Sequence, residues 1–187
     1  MATNCVELGF VEEVDNPVRL SSPFFPSKVG GKPAWLARSG LPDSKTLQCK
    51  CCNKPLIFLL QVYVPSEQEE TTFHRTVFVF CCRDGACYKA NGNTCFAAFR
   101  CQLPRANEFY DLEPSKDEQK HLSESLKRES DLKGTWSPLC EVCGCSGEKW
   151  CARCRVVHYC SKEHQTIDWK KGHKRRCCTE SENSQGE

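Results

Sequence analysis

The chain has 187 residues, 39% of them hydrophobic and 27% charged, the make-up of a soluble protein of one or two domains without a membrane-spanning stretch. A formal charge of +2 is too near neutral to indicate a nucleic-acid arm or a membrane-surface binder. The 17 cysteines follow an N-terminus with no basic start and apolar run, so they read as metal ligands and free thiols rather than disulfides.

In chain order, residues 1–18 carry Glu7, Glu12, Glu13 and Asp15 and no Lys or Arg. In SKVGGKPAW, Gly30 and Gly31 lie between Lys28 and Lys32 but lack the GxxxxGK spacing of a phosphate loop. They predict a tight turn, after which Trp35 and Leu36 pack inward.

Cys49 and Cys52 precede an apolar run, Leu56 to Val64. Cys82 and Cys87 follow a second run, Arg75 to Phe80. The polar loop PSEQEETTF separates the runs. Paired as an antiparallel hairpin, they bring the start of one strand beside the end of the other, so both cysteine pairs meet and form a four-cysteine zinc site. Cys81 competes with Cys82 for the fourth position, because adjacent strand residues face opposite ways; Cys82 is the preferred reading. His74 and His121 read as structural or solvated rather than as catalytic bases.

Residues 111–136 form a polar linker, with a capping-box pattern at Ser115 and Glu118 and a thin apolar strip of Leu122 and Leu126. It reads as a flexible tether or a marginal helix.

Beyond it, eight donors stand in four pairs: Cys140/Cys143, Cys151/Cys154, Cys160/His164 and His173/Cys177. A tetrahedral zinc takes two such pairs, so residues 137–178 hold two ions, though counting does not fix which pairs share one. From Cys140 to Cys178 there are nine Lys or Arg against four acids. Two divalent ions and six thiolates leave a net charge of +3, mildly basic, and no direct nucleic-acid binding is expected. Cys5, Cys51, Cys81, Cys95, Cys101, Cys145 and Cys178 are left as non-ligands. The tail TESENSQGE, 179–187, reads as disordered.

The paired cysteines, with Tyr159, Cys160, Gln165, Trp169, His173 and Cys177, resemble a MYND zinc finger, except that His164 stands where the general pattern has Cys. The resemblance implies interleaved sites: Cys140, Cys143, Cys160 and His164 on one ion, and Cys151, Cys154, His173 and Cys177 on the other. It also implies a groove for proline-containing peptides lined by Gln165 and Trp169. The stretches VELGF (6–10), FPSKVGGKPAWL (25–36), KPLIFLLQVYVP (54–65), FHRTVFVFCC (73–82) and FRCQLPRANEFY (99–110), together with this finger, resemble the programmed cell death protein 2 family. Within that family the cysteines matching Cys82 and Cys87 are the expected ligands and His164 is the expected residue.

The expectation is therefore an α+β, zinc-stabilised protein. A mainly β N-terminal domain (1–110) with a zinc-tied hairpin precedes the linker (111–136) and a small MYND finger with short helices (137–178), with three Zn2+ in all. The family resemblance implies a non-enzymatic nuclear and cytoplasmic chaperone of a small-subunit ribosomal protein, supporting ribosome biogenesis; the alternative is a transcriptional corepressor adaptor binding proline-containing peptides. Family members usually continue into a second domain beyond the finger, so the resemblance leaves two expectations open, a short isoform or a chain lacking a C-terminal half.

Overall fold

The computed structural model describes residues 8–66, 68–131 and 137–177. Cys5, Cys178 and the tail expected at 179–187 lie outside them. The centre is a four-stranded antiparallel sheet in the order β1 (Lys28–Val29), β2 (Ile57–Tyr63), β3 (His74–Cys81), β4 (Phe96–Leu103). The two expected runs do pair as a hairpin, Ile57 opposite Cys81 and Tyr63 opposite Thr76, with an irregularity between Phe58 and Leu60. β3 is central, and its alternate residues His74, Thr76, Phe78 and Phe80 are buried on one face, as a period of two requires. Gly30 and Gly31 have φ of +76° and +74° and form the turn after β1, and Gly30 N–H donates to Leu59 O at 2.7 Å.

Trp35 lies beneath this face, its ring 4.2 Å from Phe78 and 6.1 Å from Phe80, while Phe80 meets Phe58 and Phe99 edge-on. Buried Gln61 holds the chain that delivers Trp35: its side chain accepts from Ala34 N–H and donates to Pro26 O, each at 2.8 Å, so both ends of the amide are satisfied. Leu36 is also buried.

The polar linker contains a helix, α1 (Glu118–Asp131), in place of a tether. Its cap differs from the expected box: Asp117 Oδ1 accepts from Lys120 N–H at 2.8 Å, whereas Ser115 Oγ accepts only from Asp117 N–H. The leucine strip is only half engaged, with Leu122 half-buried and Leu126 54% exposed. Polar and aromatic contacts anchor the helix as well: Glu118 pairs with Arg19, Arg128 with Asp111, and His121 packs 4.9 Å from Phe24.

After Ser137 come a two-stranded ribbon, β5 (Lys149–Trp150) with β6 (His158–Tyr159), and α2 (Lys162–Asp168). α2 runs through a wide turn at Trp169–His173 into α3 (Lys174–Arg176), and Gly172, at φ +149°, makes the kink between them. This part is packed onto the sheet. One buried cluster joins Trp35, Leu56, Phe78 and Phe80 to Cys140, Cys143, Cys145 and Cys160. Trp35 Nε1–H donates to Gly144 O at 2.6 Å, Ser137 N–H to Arg38 O at 3.1 Å, and Ser146 N–H to Pro42 O at 3.2 Å. Lys32 pairs with Glu141 at 3.1 Å.

Candidate metal centres

The same local device appears three times. After each CxxC pair, the next residue turns left-handed and its N–H donates to the carbonyl of the first cysteine at 2.8 Å: Asn53 to Cys49, Gly144 to Cys140, Arg155 to Cys151. The φ angles are +55°, +70° and +55°. The turn closes the loop so that both thiols of a pair converge. Of the three residues, only glycine advertises that conformation in the sequence.

In the sheet domain, Cys49, Cys52, Cys82 and Cys87 bring their sulfurs within 4.8 Å of one another. Cys82, not Cys81, is in the cluster. Backbone N–H groups point at the sulfurs: Cys51 N–H lies 3.4 Å from Cys49 Sγ, and Asp84 N–H 3.4 Å from Cys82 Sγ. Burial opposes ionisation of Cys49, yet the N–H groups of Cys51 and Cys52 bring its thiol down to about 6. Asp84 caps the turn at Gly85–Cys87 by accepting from Ala86 N–H, and Lys54 pairs with it at 2.8 Å. Tyr88 O–H donates to Cys82 O at 2.6 Å, fixing the strand end.

In the finger, Cys140, Cys143, Cys160 and His164 form a second cluster and Cys151, Cys154, His173 and Cys177 a third; every member is buried. His164 uses Nδ1, 3.1 Å from Cys160 Sγ and 3.6 Å from Cys140 Sγ. Ser161 caps α2 by accepting from His164 N–H, which sets the imidazole in the first helical turn. His173 uses Nε2, 3.7 Å from Cys154 Sγ. Burial opposes ionisation of Cys154 as well, and the N–H groups of Val156 and Val157 overcome it, lowering the thiol. The geometry thus brings together all twelve donors in three sets of four, in the interleaved arrangement for the finger. One set of four thiolates, with Cys52 half-buried, and two buried sets of three thiolates and one imidazole, each supplying four ligands, fit zinc. The fifteen described cysteines are unbridged.

Gln165 and Trp169 are half-buried on one face of α2 and its continuation, with Trp169 5.8 Å from the ring of His173. His74 is buried and its Nδ1 lies 2.9 Å from the Tyr63 hydroxyl, which marks a structural role. Sequence reasoning missed the Trp35 to Gly144 contact; no local pattern signals it.

Together these features define a zinc-clamped sheet domain with a two-zinc finger docked against it. By sequence, residues 5–117 match the family described as Programmed cell death protein 2, N-terminal domain, and residues 140–177 match the MYND finger. The chain is 50% identical to Programmed cell death protein 2 of Bos taurus over 172 residues, 91% of this chain and 47% of that protein. The Rattus norvegicus protein of the same name is 49% identical over 177 residues, 95% of this chain and 49% of its own. Similarity to Ubiquitin carboxyl-terminal hydrolase 19 of Arabidopsis thaliana covers 38 residues at 55% identity, 20% of this chain and 6% of that protein. No solved structure matches. The chain belongs to the programmed cell death protein 2 family, and it spans about half the length of the curated relatives it matches.

Proposed function

We propose that this zinc-binding chain acts without catalysis as a dedicated chaperone or adaptor for a small-subunit ribosomal protein, supporting ribosome biogenesis in cytoplasm and nucleus. Family membership directs the reading. Each metal cluster has four protein donors, which fill a tetrahedral zinc and leave no position for an activated water.

The observation that carries client binding is a groove of about 520 Å³ beside β1 and β2, lined by Phe10, Val11, Val14, Val29 and Val62 together with Glu12 and Lys28. Phe10 is 85% exposed and Val11 81%. Exposed Glu13 and Asp15 adjoin it in the chain, so a segment both basic and apolar, as unassembled ribosomal proteins offer, matches its chemistry. Co-translational capture with mass spectrometry at two salt concentrations tests this. Intact chain should recover a small-subunit ribosomal protein, and Phe10→Glu with Val62→Glu should lose it while zinc content stays unchanged. Recovery of no ribosomal protein at either salt concentration refutes the reading.

The half-exposed Gln165 and Trp169 favour a second reading, a corepressor adaptor for proline-containing peptides. It requires captured corepressors that disappear when those two residues are replaced and persist when Phe10 is.

A further inference from the structure

Cys145 belongs to none of the three donor sets, yet its sulfur lies 2.9 Å from that of Cys143. Two sulfurs on one tetrahedral zinc sit roughly 3.8 Å apart, given Zn–S bonds of about 2.3 Å. Cys145 Sγ is therefore nearer to a ligand sulfur than a co-ligand would be, at the edge of the donor set. It is fully buried, its thiol also faces that of Cys160, and its contact to the backbone is a weak one, 3.7 Å to Ser146 O.

The backbone holds it there. Cys140 N–H donates to Cys145 O at 2.7 Å, the flanking residues Leu139 and Ser146 pair as a bridge, and the intervening Gly144 is pinned by Trp35. The other two knuckles have no thiol at the corresponding place, where Lys54 and Val156 stand.

We infer that Cys145 is a fifth donor at the Cys140, Cys143, Cys160 and His164 centre, able to take the zinc bond of Cys143. Zinc accepts four ligands there, so the two sulfurs compete for one coordination position, and either completes a site of three thiolates and one imidazole. The centre tolerates loss of one thiol at that position. Among the described residues Cys140 has no such substitute.

The test is elemental analysis of the full chain, purified under reducing conditions without chelator, together with visible spectra after cobalt substitution. Wild type and Cys143→Ala should each carry three ions, and the cobalt-loaded variant should keep the charge-transfer intensity of a three-thiolate centre. Cys145→Ala alone should also carry three. Cys143→Ala combined with Cys145→Ala should carry two, as should Cys140→Ala. A Cys143→Ala chain holding two ions or fewer, whether from local loss or general unfolding, overturns the assignment. So does loss of an ion from Cys145→Ala alone, which would make Cys145 obligatory.

Discussion

The indole of Trp35 donates its N–H to the carbonyl of Gly144 across 109 residues of sequence, and this bond ties the sheet to the first zinc knuckle of the finger. Trp35 packs at a tilt against Phe78, while the space where a side chain on Gly144 would sit is filled by Pro33: a Cβ there would lie 2.7 Å from Pro33 Cδ.

Trp35→Phe keeps most of the ring but leaves a buried carbonyl without its donor, and should lower stability by about 1–3 kcal/mol. Gly144→Ala should cost more, because it adds a clash to a left-handed φ of +70°. Urea denaturation followed by tryptophan fluorescence measures both, and the order Gly144→Ala below Trp35→Phe below wild type is the expected result.

Chelation should unfold the finger and disturb the sheet. Among the described residues the finger's own buried cluster is Cys151, Cys154, Tyr159 and Cys177, three of them metal ligands, with half-buried Val157 and Trp169 against it, so little packing remains once zinc leaves. Structural zinc contributes on the order of 10 kcal/mol per site in small zinc peptides. Near-ultraviolet circular dichroism during titration with a strong chelator should show the Trp35 signal changing with the finger; an unchanged signal after complete metal loss refutes this.

His74 makes the sheet domain sensitive to mild acid. Burial among Phe25, Tyr63, Phe73 and Tyr110 lowers its pKa, so the folded chain resists protonation while the unfolded chain accepts a proton near pH 6.5. Its contribution is complete above that pH and falls as pH drops below it, by at most about 1.4 kcal/mol per unit. His74→Gln should flatten this slope. Denaturation midpoints at pH 7.5 and 5.5 for both chains isolate the difference, since acid sensitivity of the zinc sites is common to both.

Trp169 leans against the zinc ligand His173, whereas Gln165 does not touch a donor in the described contacts. Gln165→Ala should leave three ions bound and Trp169→Ala should speed release of one to a colorimetric chelator. Equal release from both variants would count against a structural part for the tryptophan.

The donor pairs were legible in the sequence because metal chemistry fixes spacing: CxxC and the three-residue gaps are short-range requirements, and the hairpin that unites Cys49 with Cys87 shows in two strand-forming runs. Three things were not. The helix at Glu118–Asp131 has an apolar strip too thin to predict it, because its anchors are Arg19, Asp111 and Phe24, far away or upstream in the chain. The finger's attachment depends on Trp35, whose inward packing was readable but whose partner was not: a backbone carbonyl carries no sequence signature. Left-handed Asn53 and Arg155 were equally hidden, since neither residue type requires that conformation.

A buried cluster shared by the sheet and the first knuckle also makes influence between them mutual. A ligand that settles on the sheet and shifts Trp35 must alter how firmly the knuckle grips its ion, and filling the knuckle must alter the sheet's affinity by the same factor. For any such ligand, metal supply would set the affinity.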